Sequence, residues 1–441
     1  MRTGHGRFSI TRSPAEKTRP PIKPNSEAAA RPKMFSIQHP SILAHLGQLT
    51  YGLQPVLLMT DGVFSLLMKA TKEAILTARL NQQIKVYLVP DGSKAGFSLG
   101  FITAFFDDHD EPLVLFTPLY VGDDLLTDLT AVLSQETFDL YFFDEHDREM
   151  MGVHARLRDA ERFRSTLAKA HFKEFDPKEL GVTLGAMGDW FGERGAGDDD
   201  RAFIVGFEST LYPDDLMVID ARPAAYDFQG AEGHLAATSL ERDEPGAYQE
   251  RDLVRLLRRS FPGEAIFLNP IRTDTGTELA DIVCLADEVL LLVQAKDSPN
   301  TEASLRRSLD RKRAVIRAHI DKGARQMRGA LSYVKGRNEL SFSTSSGTHA
   351  LNIKGRLICG VVVVREMFDD DYTACSAPVL AVANDCRVPC VLLDYAAAHT
   401  MTLYLGSPPR LLNGLCQLFE TALEHGEYPK PRFLGQPNTS R

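Results

Sequence analysis

Residues 277–299, TELADIVCLADEVLLLVQAKDSP, decide how this chain is read. Residues 279–286 form an apolar run broken by one acid, Asp281. A turn-like Ala286-Asp287-Glu288 follows, and then Val289-Leu290-Leu291-Leu292-Val293 runs into Gln294-Ala295-Lys296. Two short runs rich in aliphatic residues, each bounded by polar ones, predict two strands in hairpin connection. Side chains alternate along a strand, so Gln294 and Lys296 share one side and Ala295 takes the other. Polar groups ending a buried strand need partners, and Asp281 on the neighbouring strand is the candidate. Glu278 and Asp274 are competing acids. Glu278 stands three residues before Asp281, so a regular strand turns it to the opposite face.

At 441 residues the chain exceeds one ordinary core, and two domains are expected. Hydrophobic residues make up 44% and charged residues 25%, which excludes wholesale disorder. No window approaches the ~18 uninterrupted apolar residues of a spanning helix. The net charge is −9, but residues 1–33 carry +6 and residues 301–337 carry +8, leaving −23 on the rest. An anionic partner near 301–337, or the acidic remainder folded against it, is implied. Six cysteines without a CxxC pair exclude a common zinc site and read as buried free thiols. With no apolar signal core at the N-terminus, a cytoplasmic location is expected.

Residues 1–33 hold too few large apolar side chains to offset ordering and are expected to form a disordered basic tail, with initiation at Met34 an equally good reading. Residues 34–235 read as an α+β domain with an antiparallel sheet. Helical spacing covers 62–80 and 123–133, and strands are predicted at 84–89, 97–106, 113–116 and 138–143. Asp107-Asp108-His109-Asp110 is a turn signal. Asp144-Glu145-His146-Asp147-Arg148-Glu149 and Asp198-Asp199-Asp200 read as solvated segments. The glycines of 181–197 lack the Lys-Ser/Thr pair of a phosphate loop.

A polar stretch at 229–247 marks the boundary, and residues 236–441 form the second domain. There a helix from Glu250 to Phe261 places Glu250 on its apolar side. Strands follow at 264–270 and across the hairpin. A helical region at 302–335 has Gly323 as its candidate break, 341–347 is a flexible loop, strands lie at 356–365 and 388–394, and a closing helix spans 408–425.

Asp281, the amide oxygen of Gln294 and the carbonyl of Ala295 suit a hard divalent cation, Mg²⁺ or Mn²⁺, with Lys296 beside it to hold an attacking water and offset phosphate charge. An acid on one strand and D/E-x-K on the next resembles the PD-(D/E)xK phosphodiesterase superfamily. Gln294-Ala295-Lys296 is most similar to the Mrr-type restriction nucleases, in which the second acid is commonly Gln. The resemblance covers residues 236–441. It implies an α/β chain whose C-terminal half is a restriction-endonuclease-like αβ sandwich with a mixed central sheet, acting as a Mg-dependent DNA endonuclease of restriction or defence type. Its catalytic residues would be Asp281, Gln294, Lys296 and Glu250, its metal ligands Asp281, Gln294 and Ala295, and Gln326 a supporting polar group. Arg306, Arg307, Arg311, Lys312, Arg313, Arg325 and Arg328 would track the phosphate backbone. The first domain would supply target recognition, a homodimer contact or a protein partner. A catalytically inactive nucleic-acid binder or scaffold keeping the same fold is the alternative reading.

Overall fold

The computed structural model describes residues 34–47, 49, 51–60, 63–105, 113–244, 246–368, 371–431 and 433. The expected basic tail and the Asp107 to Asp110 turn lie outside the described residues. In the first half the elements run α1 (Phe35–Gln38), α2 (Ile42–Leu46), β1 (Gly52–Thr60), β2 (Val63–Lys69), α3 (Lys72–Asn81), β3 (Gln83–Pro90), β4 (Ser98–Ala104), β5 (Val114–Pro118), α4 (Asp124–Leu133), β6 (Thr137–Phe143), β7 (Glu149–Leu157), α5 (Ala160–Leu167), α6 (Leu180–Glu193), α7 (Ala196–Arg201), β8 (Phe203–Thr210), β9 (Val218–Asp220) and β10 (Ala236–Thr238). In the second they run α8 (Gly246–Leu257), β11 (Ile266–Leu268), β12 (Ile271–Arg272), β13 (Ile282–Leu285), β14 (Val289–Lys296), α9 (Glu302–Leu305), α10 (Leu309–Val334), β15 (Glu339–Thr344), β16 (Gly347–Asn352), β17 (Leu357–Val364), α11 (Tyr372–Cys386), β18 (Cys390–Asp394), α12 (Tyr395–Tyr404) and α13 (Pro408–His425).

The chain is thus mixed α/β. Its first half is built on an eight-stranded sheet, β1-β2-β6-β7-β8-β3-β4-β5, in which only β2 and β6 pair in parallel. The second is built on β11-β13-β14-β17-β18, antiparallel as far as β14 and parallel from β14 to β18. The three parallel strands end in register, with Lys296 beside Val364 and Val364 beside Asp394. Helix α10 crosses β14 and β17. A Cβ on Gly323 would come within 2.8 Å of Val362 Cγ1, so this glycine sets how close the helix lies. The helix runs unbroken through it, because that close packing compensates its low helix propensity. The break falls instead at residues 306–308, between α9 and α10.

Several expectations are corrected. Residues 63–69 are strand β2, and the helix starts only after Thr71, whose hydroxyl accepts from Ala74 N at 3.3 Å. The glycines of 181–197 fall largely within α6, and Asp198 to Asp200 belong to α7, where Asp199 accepts from Tyr87 Oη at 2.8 Å. Residues 341–347 are not a flexible loop but the paired ends of β15 and β16.

The largest correction concerns Asp144 to Glu149. Asp144, Glu145, His146, Arg148 and Glu149 are all buried. Glu149 accepts from Phe35 N, Ser36 N and Tyr212 Oη and Asp144 pairs with Arg148 within the first half, but the rest of the cluster is tied to the second half of the chain. Asp252 of α8 takes Lys72 Nζ at 2.9 Å, Arg148 at 3.0 Å, Arg242 at 3.2 Å and His146 Nε2 at 3.4 Å. Lys72 also pairs with Glu145, and Arg365 with Glu73 at 3.0 Å. His146 Nε2 and Tyr395 Oη lie 2.6 Å apart, and His399 Nε2 lies 2.9 Å from the Glu145 carbonyl oxygen. Burial opposes charge on Asp252, yet Arg148, Lys72 and Arg242 hold its carboxyl below the usual range. Burial, then Arg148, pushes the His146 imidazole well down, which keeps it neutral. The two halves therefore meet across a desolvated polar network.

Candidate active site

Strands β13 and β14 pair from Ile282 with Val293 to Leu285 with Leu290, so the ladder ends one residue short of Asp281. The Asp281 side chain takes over, accepting from Ala295 N at 2.6 Å. Its backbone is fixed in turn, since Asn269 N donates to Asp281 O at 2.9 Å. Asn269 sits at φ 49, a left-handed conformation that Asn tolerates. Asp281 and Gln294 are buried, at 4% and 3% exposure.

Three oxygens converge on the Lys296 ammonium. Nζ donates to Ala295 O at 2.7 Å, to Asp281 Oδ2 at 2.8 Å and to Gln294 Oε1 at 3.3 Å. The expected alternation is therefore observed: Gln294 and Lys296 lie together with Asp281. Glu250, on α8, joins them electrostatically. Burial, then the Asp281 charge, pushes its carboxyl up to about 7, although Asn269 and Lys296 favour its ionised form. Glu278 is exposed and makes no hydrogen bond or ion pair with Asp281 or Lys296. Its carboxyl is nonetheless raised by partial desolvation and then by Asp281, and Lys296 acts on it too. Glu278 makes a single bridge to Ile271, and Leu279 and Ala280 belong to no strand, so no continuous strand joins Glu278 to Asp281.

Asp281 alone is ion-paired with Lys296, at 2.8 Å, while Glu250 is influenced by both charges without contacting the ammonium. The oxygens already surround a cation, and this donor set fits a hard divalent ion at the same place. Among the described residues no group of three or more His, Cys, Asp and Glu gathers as metal ligands. The candidate set is of a different kind, since an amide and a backbone carbonyl supply two of its three oxygens. Asp274 lies elsewhere, its Oδ2 accepting from Tyr333 Oη at 3.2 Å.

Helix α10 closes the site. The Cβ absent from Gly323 would meet Lys296 Cγ at 3.5 Å. One turn earlier stands His319, whose imidazole is pushed down by burial, then by Lys322 and Lys296. Sequence reasoning missed His319, Lys322 and Asn269; a glycine inside a helical pattern was the available signal that α10 comes close here.

The basic residues divide. Arg306 pairs with Glu302 at 2.7 Å, Arg313 with Asp310 at 3.6 Å and Arg328 with Asp385 at 2.8 Å. Arg317 is bound to Asp371. Arg307, Arg311, Lys322 and Arg325 have no ion-pair partner among the described residues, and on α10 the spacing of Arg311, Lys322 and Arg325 sets all three on one exposed face. Lys312 is engaged by a polar partner. Gln326 is exposed, and its side chain bonds to no described residue. No described helix is long and apolar enough to cross a membrane.

No family model, no curated protein and no solved structure matches this chain.

Proposed function

We propose that the second half of the chain is a PD-(D/E)xK-type phosphodiesterase of the Mrr-like, Gln-containing kind, with a restriction-endonuclease-like core, that cleaves DNA with Mg²⁺ or Mn²⁺. The observation that carries this reading is the convergence of Asp281 Oδ2, Gln294 Oε1 and Ala295 O on one cation, Lys296 Nζ. The strand order supports it, because an antiparallel hairpin feeding a parallel pair delivers Asp281 and Lys296 to one sheet end beside α8 and α10. Asp281, Gln294 and the Ala295 carbonyl would hold the metal, which would neutralise phosphate charge and lower the pKa of bound water. Glu250, once ionised, adds negative charge to the pocket. Lys296 orients the attacking water and offsets charge on the phosphate. Arg311, Lys322 and Arg325 guide the phosphate backbone toward it.

The alternative is a nucleic-acid binder without turnover, favoured by Gln294 in place of an acid and by the three bonds that restrain Lys296. Incubating supercoiled DNA with the full chain and increasing Mg²⁺ separates the two. Metal-dependent nicking supports the enzyme, whereas DNA binding indifferent to Mg²⁺, with no product, supports the binder.

Glu250 makes the reaction pH-dependent. Its carboxyl is held up at about 7, so the ionised form populates only as pH rises through that value. Cleavage at subsaturating Mg²⁺ should climb from pH 6 to 8 with an inflection near neutrality, and Glu250→Gln should flatten that rise. The same shift has a cost for folding. The folded state binds the proton more tightly than the unfolded chain, so stability falls as pH rises from the usual carboxyl range to about 7. Without metal, Glu250→Gln should therefore stabilise the protein at pH 8, by on the order of 1 kcal/mol after solvent screening. Thermal unfolding of both proteins at pH 5 and pH 8 measures this; an equal difference at both pH values would count against it.

For the basic face, every phosphate charge that the chain no longer neutralises should reduce the slope of log affinity against log salt by about 0.9. Replacing Arg311, Lys322 and Arg325 together by alanine should flatten that slope by about 2 to 3. Arg328→Ala should leave the slope unchanged, because Arg328 is bound to Asp385.

A further inference from the structure

The carboxyl ends of β14, β17 and β18 open into a cavity of about 140 Å³ roofed by the first half of the chain. Its walls come from both halves, with Lys72, Leu113 and Glu145 on one side and Asp297, Met367 and Tyr395 on the other. The cavity stands back to back with the candidate active site. Gln249 and Asp297 line it, while their chain neighbours Glu250 and Lys296 belong to the active-site cluster. Crevices beyond the carboxyl ends of parallel strands are where open α/β sheets take ligands.

Three features define the ligand. The lining holds six carboxyl groups against three cations, and although burial raises Glu145 and pushes Asp297 up to about 7, the other four still outnumber the cations. Two buried acceptors in the lining have no hydrogen-bond partner, Glu145 Oε2 and Gln249 Oε1, on side chains only 1% and 3% exposed, whereas the lining donor Arg365 Nε is ion-paired with Glu73 at 3.0 Å. Both are acceptors, and a buried acceptor without a donor is costly. Finally, Leu113, Met367 and the Tyr395 ring give the cavity apolar wall, and Lys72 Nζ already lies 5.5 Å from the Tyr395 ring centroid, so that ring accepts a cation.

We propose that this cavity binds a small alkyl amine, its ammonium donating to Glu145 Oε2 and Gln249 Oε1 and its chain lying along Tyr395 and Met367. The test titrates 1,4-diaminobutane into the full chain by calorimetry at constant ionic strength, with n-butanol as the uncharged control. Saturable one-to-one binding of the diamine alone is expected. Glu145→Gln and Gln249→Met should each weaken it at least tenfold, and Lys296→Ala should leave it unchanged. Since the readout is binding, it stands whether or not the protein cuts DNA. No saturable binding to the folded wild type, equal affinity in both cavity variants, or displacement of the diamine by Mg²⁺ alone would overturn the proposal. Gln249→Met decides the matter if Glu145→Gln fails to fold, since Gln249 takes part in no ion pair.

Discussion

Asp252→Ala is expected to cost about 3–5 kcal/mol of stability, the largest effect of any single polar substitution in this chain. Asp252 is 4% exposed and is the common partner of Lys72, Arg148 and Arg242. Removing it leaves Arg242 without a carboxylate partner among the described residues and leaves the other two with Glu145 and Asp144 alone. Three cations then stand in a desolvated interface, and like-charge repulsion adds to their burial cost. The ion pairs themselves contribute less than this, because forming them required stripping water from every member. A paired exchange makes the distinction: Lys72→Met with Asp252→Leu should destabilise less than Asp252→Ala alone. The pH dependence has a definite sign. A carboxyl held below its usual range contributes stability that is present above that range and lost as pH falls. The urea midpoint of the wild type should therefore approach that of Asp252→Ala on acidification. A loss under about 1 kcal/mol at pH 7 would mean that water reaches the network and screens it.

That network was invisible in the sequence for a physical reason. A charge run after a strand is ordinarily solvated, and only long-range partners make burial tolerable. For Glu145 that partner is Lys72, 73 residues away, and for Lys72 it is also Asp252, 180 residues away. Local pattern carries no information about either. The hairpin, by contrast, was legible. Five aliphatic residues ended by Gln294-Ala295-Lys296 fix strand, face and the need for a partner, all from period-two alternation. The same rule has no hold on Glu278, because the chain leaves the strand at Leu279 and Ala280. Residues 63–69 were misread because their apolar side chains also match helical spacing, and pairing with both β1 and β6 decides for strand. Helices α11 and α12 went unread, their apolar faces being indistinct in chains of Ala, Val and Cys. His319 and Lys322 gained their place from the way Gly323 lets α10 settle on Val362, a tertiary effect.

Lys296→Ala should reduce Mg²⁺-dependent cleavage by at least about 10²- to 10³-fold, the usual loss when one preorganised charge at a reacting centre is removed. Asp281 keeps its bond from Ala295 N at 2.6 Å, but the Lys296 side chain is only 11% exposed, so thermal unfolding is measured beside cleavage to separate lost chemistry from lost stability. Asp281→Asn is the sharper companion. Its amide oxygen can still accept from Ala295 N, so the strand end survives while the one carboxylate of the proposed metal set disappears. Both variants should bind DNA near wild-type affinity, as Arg311, Lys322 and Arg325 are untouched. Gln294→Glu separates a working Gln-containing site from a decayed one. It adds a negative charge where Oε1 already faces Lys296 Nζ at 3.3 Å, and should tighten Mg²⁺ binding about tenfold, on the order of 1.4 kcal/mol. If the wild type cuts and Lys296→Ala cuts equally well, the ammonium is a structural tie alone and the catalytic assignment of this strand end fails. If only Gln294→Glu cuts, the natural chain is the binder, and its three convergent oxygens serve to hold Lys296 rather than a metal.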